Sequence, residues 1–235
     1  MDLQATGVAE DRPRPAGRWH RGRRGAARSA LLVAVLTLAL VAACARNAPP
    51  LTAAQWAASW GTFDPVTLSG TGRQTVAVPS AARSGILTAR HDGAGALALV
   101  ARYADDQLHG DVLTLPAGTP SGTRTYGLTS TGTVTSLRVV TEGTWTVTLA
   151  PVSTAPAFPG SGHGTGAYLY DGRAERLTVT HDGKQDVIVT ESSGRADRVS
   201  ITVLLVSRTG GTAEVTSGPA VIDVQADGAW TATSG

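Results

Sequence analysis

From residue 63 onward, short runs of alternating apolar and polar residues are separated by turn residues. Arg176-Leu177-Thr178-Val179-Thr180 places Leu177 and Val179 on one face, the period of two of a half-buried strand. Asp182-Gly183 follows, then Val187-Ile188-Val189 as a returning strand. Asp-Gly suits turn positions with positive φ, so this pair of runs predicts a hairpin. A strand over Arg198 to Val206, a break at Gly210-Gly211, a strand over Val221 to Val224, a turn at Asp227-Gly228 and a strand over Trp230 to Ala232 complete the half. The first half has the same rhythm. About eight strands per half, at a spacing of roughly ten residues, predict a jelly roll or related sandwich. The pattern turns helical only over Leu51 to Trp60. There Thr52 stands as N-cap, Trp56 and Trp60 lie four apart on one face, and Gly61 is a stop. The two indoles are expected to pack on the sandwich, or else to sit at a membrane interface.

The two halves repeat each other. Leu87-Thr88-Ala89-Arg90-His91-Asp92-Gly93 matches Leu177-Thr178-Val179-Thr180-His181-Asp182-Gly183. Ser69-Gly70-Thr71-Gly72 matches Ser161-Gly162-His163-Gly164, and Gly143-Thr144-Trp145-Thr146 matches Gly228-Ala229-Trp230-Thr231. The order is kept and the offsets drift by a few residues, as loop insertions produce. The units run over 63–153 and 157–235, joined by the Pro/Ala/Ser segment from Ser153 to Pro159. The expected fold is all-β: two tandem antiparallel β-sandwich (jelly-roll-like) repeats after a signal-peptide helix. The Gly-rich first strand, the L-T-x-x-H-D-G segment and the final G-x-W strand are similar in style to the pre-peptidase C-terminal domains of exported bacterial proteins. That resemblance implies an accessory module and transfers no catalytic residue.

Ahead of the repeats, an uncharged run from Ala30 to Ala43 ends Val41-Ala42-Ala43-Cys44, and seven arginines lie between Arg12 and Arg28. Fourteen residues are too few for a spanning helix, which needs about 20, and suit a signal-peptide core. Cys44 is the only cysteine in the chain. Basic start, apolar middle, small residues and then cysteine resemble a bacterial lipoprotein signal. The resemblance implies cleavage between Ala43 and Cys44 and a diacylglyceryl group, with fatty chains such as palmitate, on the Cys44 thiol. It implies a signal peptide over 1–43, a tether with a short helix over 44–62, and an anchor in the lipid bilayer on the extracytoplasmic face of the cell membrane. Two acyl chains hold a protein stably where one holds it reversibly.

Charge agrees with that division. Residues 1–43 contain seven arginines and three acids (Asp2, Glu10, Asp11) of the chain's 20 basic and 18 acidic residues. The remainder keeps 13 basic and 15 acidic residues, a net charge of about −2 by the usual ionisation states. With a single lysine, Lys184, and no basic patch interleaved with aromatics, nucleic acid is not an expected partner. One cysteine allows no internal disulfide, so stability falls to core burial.

Few residues suggest chemistry. His91-Asp92 and His181-Asp182 recur in both units as weak metal candidates: a site usually needs three or more ligands, and nothing nearby completes a set in the first unit, while in the second Asp182 and Asp186 with a backbone carbonyl suit a calcium ion. The plainer reading is that the aspartates build turns. Gly160 to Gly166 looks like a phosphate loop but leads into a strand, not the helix such a loop requires. Ser161 lacks the elbow of a hydrolase nucleophile, and His163 has no evident acid partner. Trp145 and Trp230 read as core plugs. With Tyr168 and Tyr170, two apart on one strand face, they are also candidate ligand-binding residues if that face is open. The expected role is a membrane-anchored, non-catalytic binding or scaffolding module of the cell envelope, with cell-wall glycan or an envelope protein as partner and no cofactor. A carbohydrate- or ligand-binding protein using exposed aromatics is the alternative, and a hydrolase or metal-dependent enzyme the remoter one.

Overall fold

The computed structural model describes residues 51–235, apart from 105–107, 130–131, 174 and 196–197. The apolar run, Ala43 and Cys44 lie outside the described residues, as do the expectations placed on them. The first half forms β1 (Val66–Thr71), β2 (Gln74–Ala77), β3 (Gly85–His91), β4 (Leu97–Tyr103), β5 (Leu108–Leu115), β6 (Ser121–Tyr126), β7 (Val134–Val140) and β8 (Thr144–Ala150). The second forms β9 (Ser161–His163), β10 (Gly166–Tyr170), β11 (Glu175–His181), β12 (Val187–Arg195), β13 (Arg198–Ser207), β14 (Gly210–Val215), β15 (Ala220–Gln225) and β16 (Ala229–Ser234).

The first sandwich pairs a sheet ordered β1-β8-β3-β6 with one ordered β2-β7-β4-β5; the second pairs β9-β16-β11-β14 with β10-β15-β12-β13. Counted from the start of each half, both have the order 1-8-3-6 over 2-7-4-5. This is the double Greek key of a jelly roll, present twice. All named pairings are antiparallel.

The hairpin expected at Asp182-Gly183 is corrected. β11 lies between β14 and β16, whereas β12 lies between β13 and β15 in the opposite sheet. The Asp-Gly segment is therefore an arch between layers. Leu177 and Val179 on β11 and Val187 and Val189 on β12 enter one core cluster from opposite sides, so their apolar faces meet across the sandwich instead of lying side by side. β12 and β13 form a true hairpin, with Arg195 opposite Arg198.

Each sandwich has its own core, centred on Leu87, Leu99, Leu137 and Trp145 in the first and on Leu177, Val189, Ile222 and Trp230 in the second. A third cluster fills the seam between them. It takes Ile86, Leu128 and Val152 from one side, Ala167 and Val221 from the other, Trp56 and Ala57 from helix α1 (Ala53–Ala58), and Trp60 just past its end. The helix opens with a capping box. Gln55 N–H donates to the Thr52 hydroxyl (3.2 Å), and the Gln55 side chain returns to Thr52 N–H (3.0 Å). Trp56 is 2% exposed and its indole N–H donates to the Gly194 carbonyl at the β12–β13 hairpin. Trp56 and Trp60 therefore join the protein core and are not available to a membrane interface. Leu51–Gly235 is accordingly one compact unit.

β15 is buried on both faces. Ile222 and Val224 point into the second core, while Val221 and Asp223 point into the seam. Asp223, 1% exposed, accepts hydrogen bonds from Thr125 N–H (3.0 Å) and from the Thr125 hydroxyl. Arg124 Nε lies 3.4 Å from its carboxylate, and Arg124 Nη1 donates to Gln225 (2.7 Å). The Thr123 N–H to Thr165 carbonyl bond (3.1 Å) adds a backbone link. The edge strand β6 of the first sandwich is thus bolted to β15 and the start of β10.

Candidate binding groove

The repeated sequence blocks fall on strands 1, 3 and 8 of each sandwich, which are neighbours in one sheet. Trp145 on β8 lies opposite Gly70 on β1 and His91 on β3. Trp230 on β16 lies opposite Gly162 on β9 and His181 on β11. The indoles lie over the glycines. A Cβ at Gly70 would come within 2.5 Å of Trp145 Cζ2, and one at Gly162 within 2.5 Å of Trp230 Cζ2. Each indole N–H donates to a carbonyl two residues further on, Gly72 (3.0 Å) or Gly164 (3.1 Å). Those two glycines have φ of +67° and +70°, which turn the carbonyl towards the ring at little cost.

Both indoles are 2% exposed: they are core plugs, and the alternative of an exposed aromatic strip is corrected. Tyr170 is buried too, its hydroxyl 2.6 Å from Glu175 Oε1. Tyr168 is half-buried and meets Trp230 edge to face at 5.6 Å. Phe158 stacks on Trp230 at 6.0 Å between centroids. Gly162 leaves room for the Trp230 ring and Gly166 for the Tyr168 ring. No open platform for a sugar ring is formed by these four residues.

The histidine–aspartate pairs serve the fold. Asp92 accepts from Thr144 N–H (2.8 Å) and Asp182 from Ala229 N–H (2.7 Å), tying each arch to the last strand. The bonds from Thr144 hold the Asp92 carboxyl below its ordinary value. His91 Nε2 donates to the Thr119 carbonyl (3.0 Å), whereas His181 Nδ1 donates to the Arg208 carbonyl (3.3 Å) and its Nε2 lies 3.4 Å from Asp227. Burial works to raise the Asp227 carboxyl, but the N–H groups of Gln185 and Lys184 outweigh it and hold the group low. Asp186 is exposed. Among the described residues, no three His, Cys, Asp or Glu side chains are grouped to hold a metal ion. Gly160 to Gly166 leads into β9 and β10, not into a helix.

A groove of about 740 Å³ lies on the second sandwich beside the start of α1. Its floor is Phe158, Leu169, Leu177 and Ala232; Thr52, Ala53 and Ala54 of the helix start form one wall, and Asp171, Gly172 and Glu175 another. Burial first, and then the neighbouring Glu175, push the Tyr170 hydroxyl up, so it remains a neutral donor to that carboxylate. Among the described residues, no basic side chain lines the groove. Of this lining, Tyr170 is the residue that the sequence marks as a binding candidate; Phe158, Leu169, Asp171 and Glu175 carry no such mark. One signal was present: aligned on Ser69 and Ser161, Thr67 and Leu68 of the first unit correspond to Pro159 and Gly160 of the second, and neither residue continues a strand well.

No family model matches this chain, and no curated protein matches it. Among solved structures, the stem and receptor binding domain of the spike protein P1 from bacteriophage PM2 is similar at 10% identity, covering 74% of this chain and 79% of that chain with a TM-score of 0.15. So low a score carries no argument, and the repeated jelly-roll order rests on the strand pairing alone.

Proposed function

We propose that the protein is a lipid-anchored extracytoplasmic lipoprotein acting as a non-catalytic binding or scaffolding module of the cell envelope. The anchor reading rests on the sequence order of arginines, apolar run, small residues and Cys44. The binding reading is carried by one observation, the groove beside the start of α1, with an apolar floor and two carboxylates among its described lining residues. An apolar floor with an acidic wall favours an envelope protein over a neutral glycan as partner. The two sandwiches, joined through a filled seam, present that groove on a stiff support.

Cys44→Ser tests the anchor. The variant is expected to keep its full-length N-terminus and to take up no labelled fatty acid in the native host, while the parent chain starts at an acylated Cys44. Normal processing and labelling of the variant, seen by mass spectrometry, overturns the assignment.

A further inference from the structure

The groove coincides with a missing half-strand. In the first sandwich, β1 pairs with β8 over six residues, from Val66 opposite Leu149 to Thr71 opposite Thr144. In the second, β9 pairs with β16 over only three, from His163 opposite Ala229 to Ser161 opposite Thr231. One further bond, Ala232 N–H to the Gly160 carbonyl (2.7 Å), ends the contact. Gly160 has φ +71° and Pro159 precedes it. The chain before it has crossed to the other sheet, where Phe158 N–H donates to the Leu169 carbonyl (2.8 Å). Gly160 holds the place of Leu68, but the place that Val66 takes in the first sandwich, half-buried against its core, has no strand in the second among the described residues.

The exposed edge is ready to pair. Gly235 N–H donates to the Arg176 carbonyl (3.0 Å) and Leu177 lies opposite Ser234. Leu177 and Ser234 are therefore a non-hydrogen-bonded pair, so the N–H and C=O of Ser234 point away from β11 into the groove. The counterpart of Ser234 in the first sandwich is Leu149, which β1 covers with Val66. The same comparison supplies the occupant's side chains. Phe63 lies against Gly85, the counterpart of Glu175, at 3.4 Å from the position of a Cβ there, and Val66 follows on the inward face.

We propose that this groove receives an extended peptide segment of a partner protein, added antiparallel to β16. The segment carries an apolar side chain placed as Val66 is, opposite Ser234, and a basic residue that meets Asp171 and Glu175. Addition of a strand to an open edge supplies backbone hydrogen bonds, and the alternate pockets supply selectivity. The proposal names the partner class for the binding role above and does not depend on the anchor.

The probe is a fluorescent synthetic peptide with the chain's own sequence from Phe63 to Ser69 carrying Asp64→Lys, titrated against the full chain in detergent and followed by anisotropy. Saturable binding is expected, weakened by added salt and absent for a scrambled peptide. Ser234→Pro removes the groove-facing N–H without touching a bond to β11 and is expected to weaken binding about fivefold or more, the worth of one such bond. Asp171→Lys, at an exposed site, is expected to weaken it by a similar factor. Melting temperatures of both variants should match the parent; if Ser234→Pro fails to fold, Asp171→Lys decides. Absence of saturable binding at 1 mM peptide (a concentration set by about −4 kcal/mol of affinity) overturns the proposal, whatever else covers the groove. So does equal binding of the scrambled peptide, or binding untouched by both variants. A chain acylated at Cys44 that ignores the peptide would keep the anchor and lose only the peptide.

Discussion

Trp145 and Trp230 are each set by two glycines of the same sheet. One lies beneath the indole, and the other turns its carbonyl to the indole N–H. Gly70 and Gly162 are therefore required by lack of space and not by backbone angle, since neither has positive φ. Gly70→Ala or Gly162→Ala forces the indole to move in a close-packed core. Overpacking of this kind costs about 1–3 kcal/mol, and for a chain of this size each kcal/mol lowers the melting temperature by about 2–4 °C. Calorimetry of the two variants checks this, and an unchanged midpoint would show that the ring has room to shift. The repeated Asp92 and Asp182 act at the same scale, through carboxylates that anchor the backbone of the last strand.

Helix α1 is six residues long, too short to be stable alone, so its order comes from what it touches. Its capping box fixes the start, and Trp56 and Trp60 fill the seam. Trp56→Ala leaves a cavity bounded by both sandwiches and is expected to cost about 3–5 kcal/mol, as for other buried tryptophans. Trp56→Phe keeps most of the packing and loses the bond to the Gly194 carbonyl, a loss of about 1 kcal/mol. Limited proteolysis between residues 151 and 160 reports the effect: rapid cutting is expected for the alanine variant and slow cutting for phenylalanine. Equal resistance of both to the parent's level would show that the helix is not what closes the seam.

Across the whole molecule, the seam is apolar around the helix and polar around Asp223, and these two parts respond differently to pH. Burial raises the Asp223 carboxyl above its ordinary value, against the opposing pull of Arg124 and Thr125. A carboxyl raised in the folded state stabilises most when protonated. Its contribution is full below the ordinary carboxylate value, about 4, and is lost as pH rises through the raised folded value. Asp92 and Asp227, held low, have the opposite sign: their contribution is present above about pH 4 and is lost as pH falls through their folded values. Asp223→Asn keeps an acceptor for Thr125 and is expected to remove the decline on the alkaline side of pH 4 while leaving the acid-side loss in place. Melting temperature measured against pH for the two chains tests this; parallel curves would assign the alkaline decline to another group.

Strand number, the twofold repeat and the capped helix were legible in the sequence because each depends on neighbours in the chain. Alternation of Leu177 and Val179 marks a face, Thr52 and Gln55 cap locally, and matched blocks reveal a duplication whatever the fold. Which strands pair was not legible there. Asp182-Gly183 serves an arch between layers as readily as a hairpin, and only the meeting of the Leu177 and Val189 faces across one core decides between them. Trp145 and Trp230 are core plugs, as the sequence reads them first, whereas the burial of Tyr170 and the latch at Asp223 depend on residues tens of positions away. The groove stands between the two cases: Pro159-Gly160 cuts the strand short in the sequence, but the floor of Leu177 and Ala232 beneath the gap exists only once β11 and β16 lie side by side.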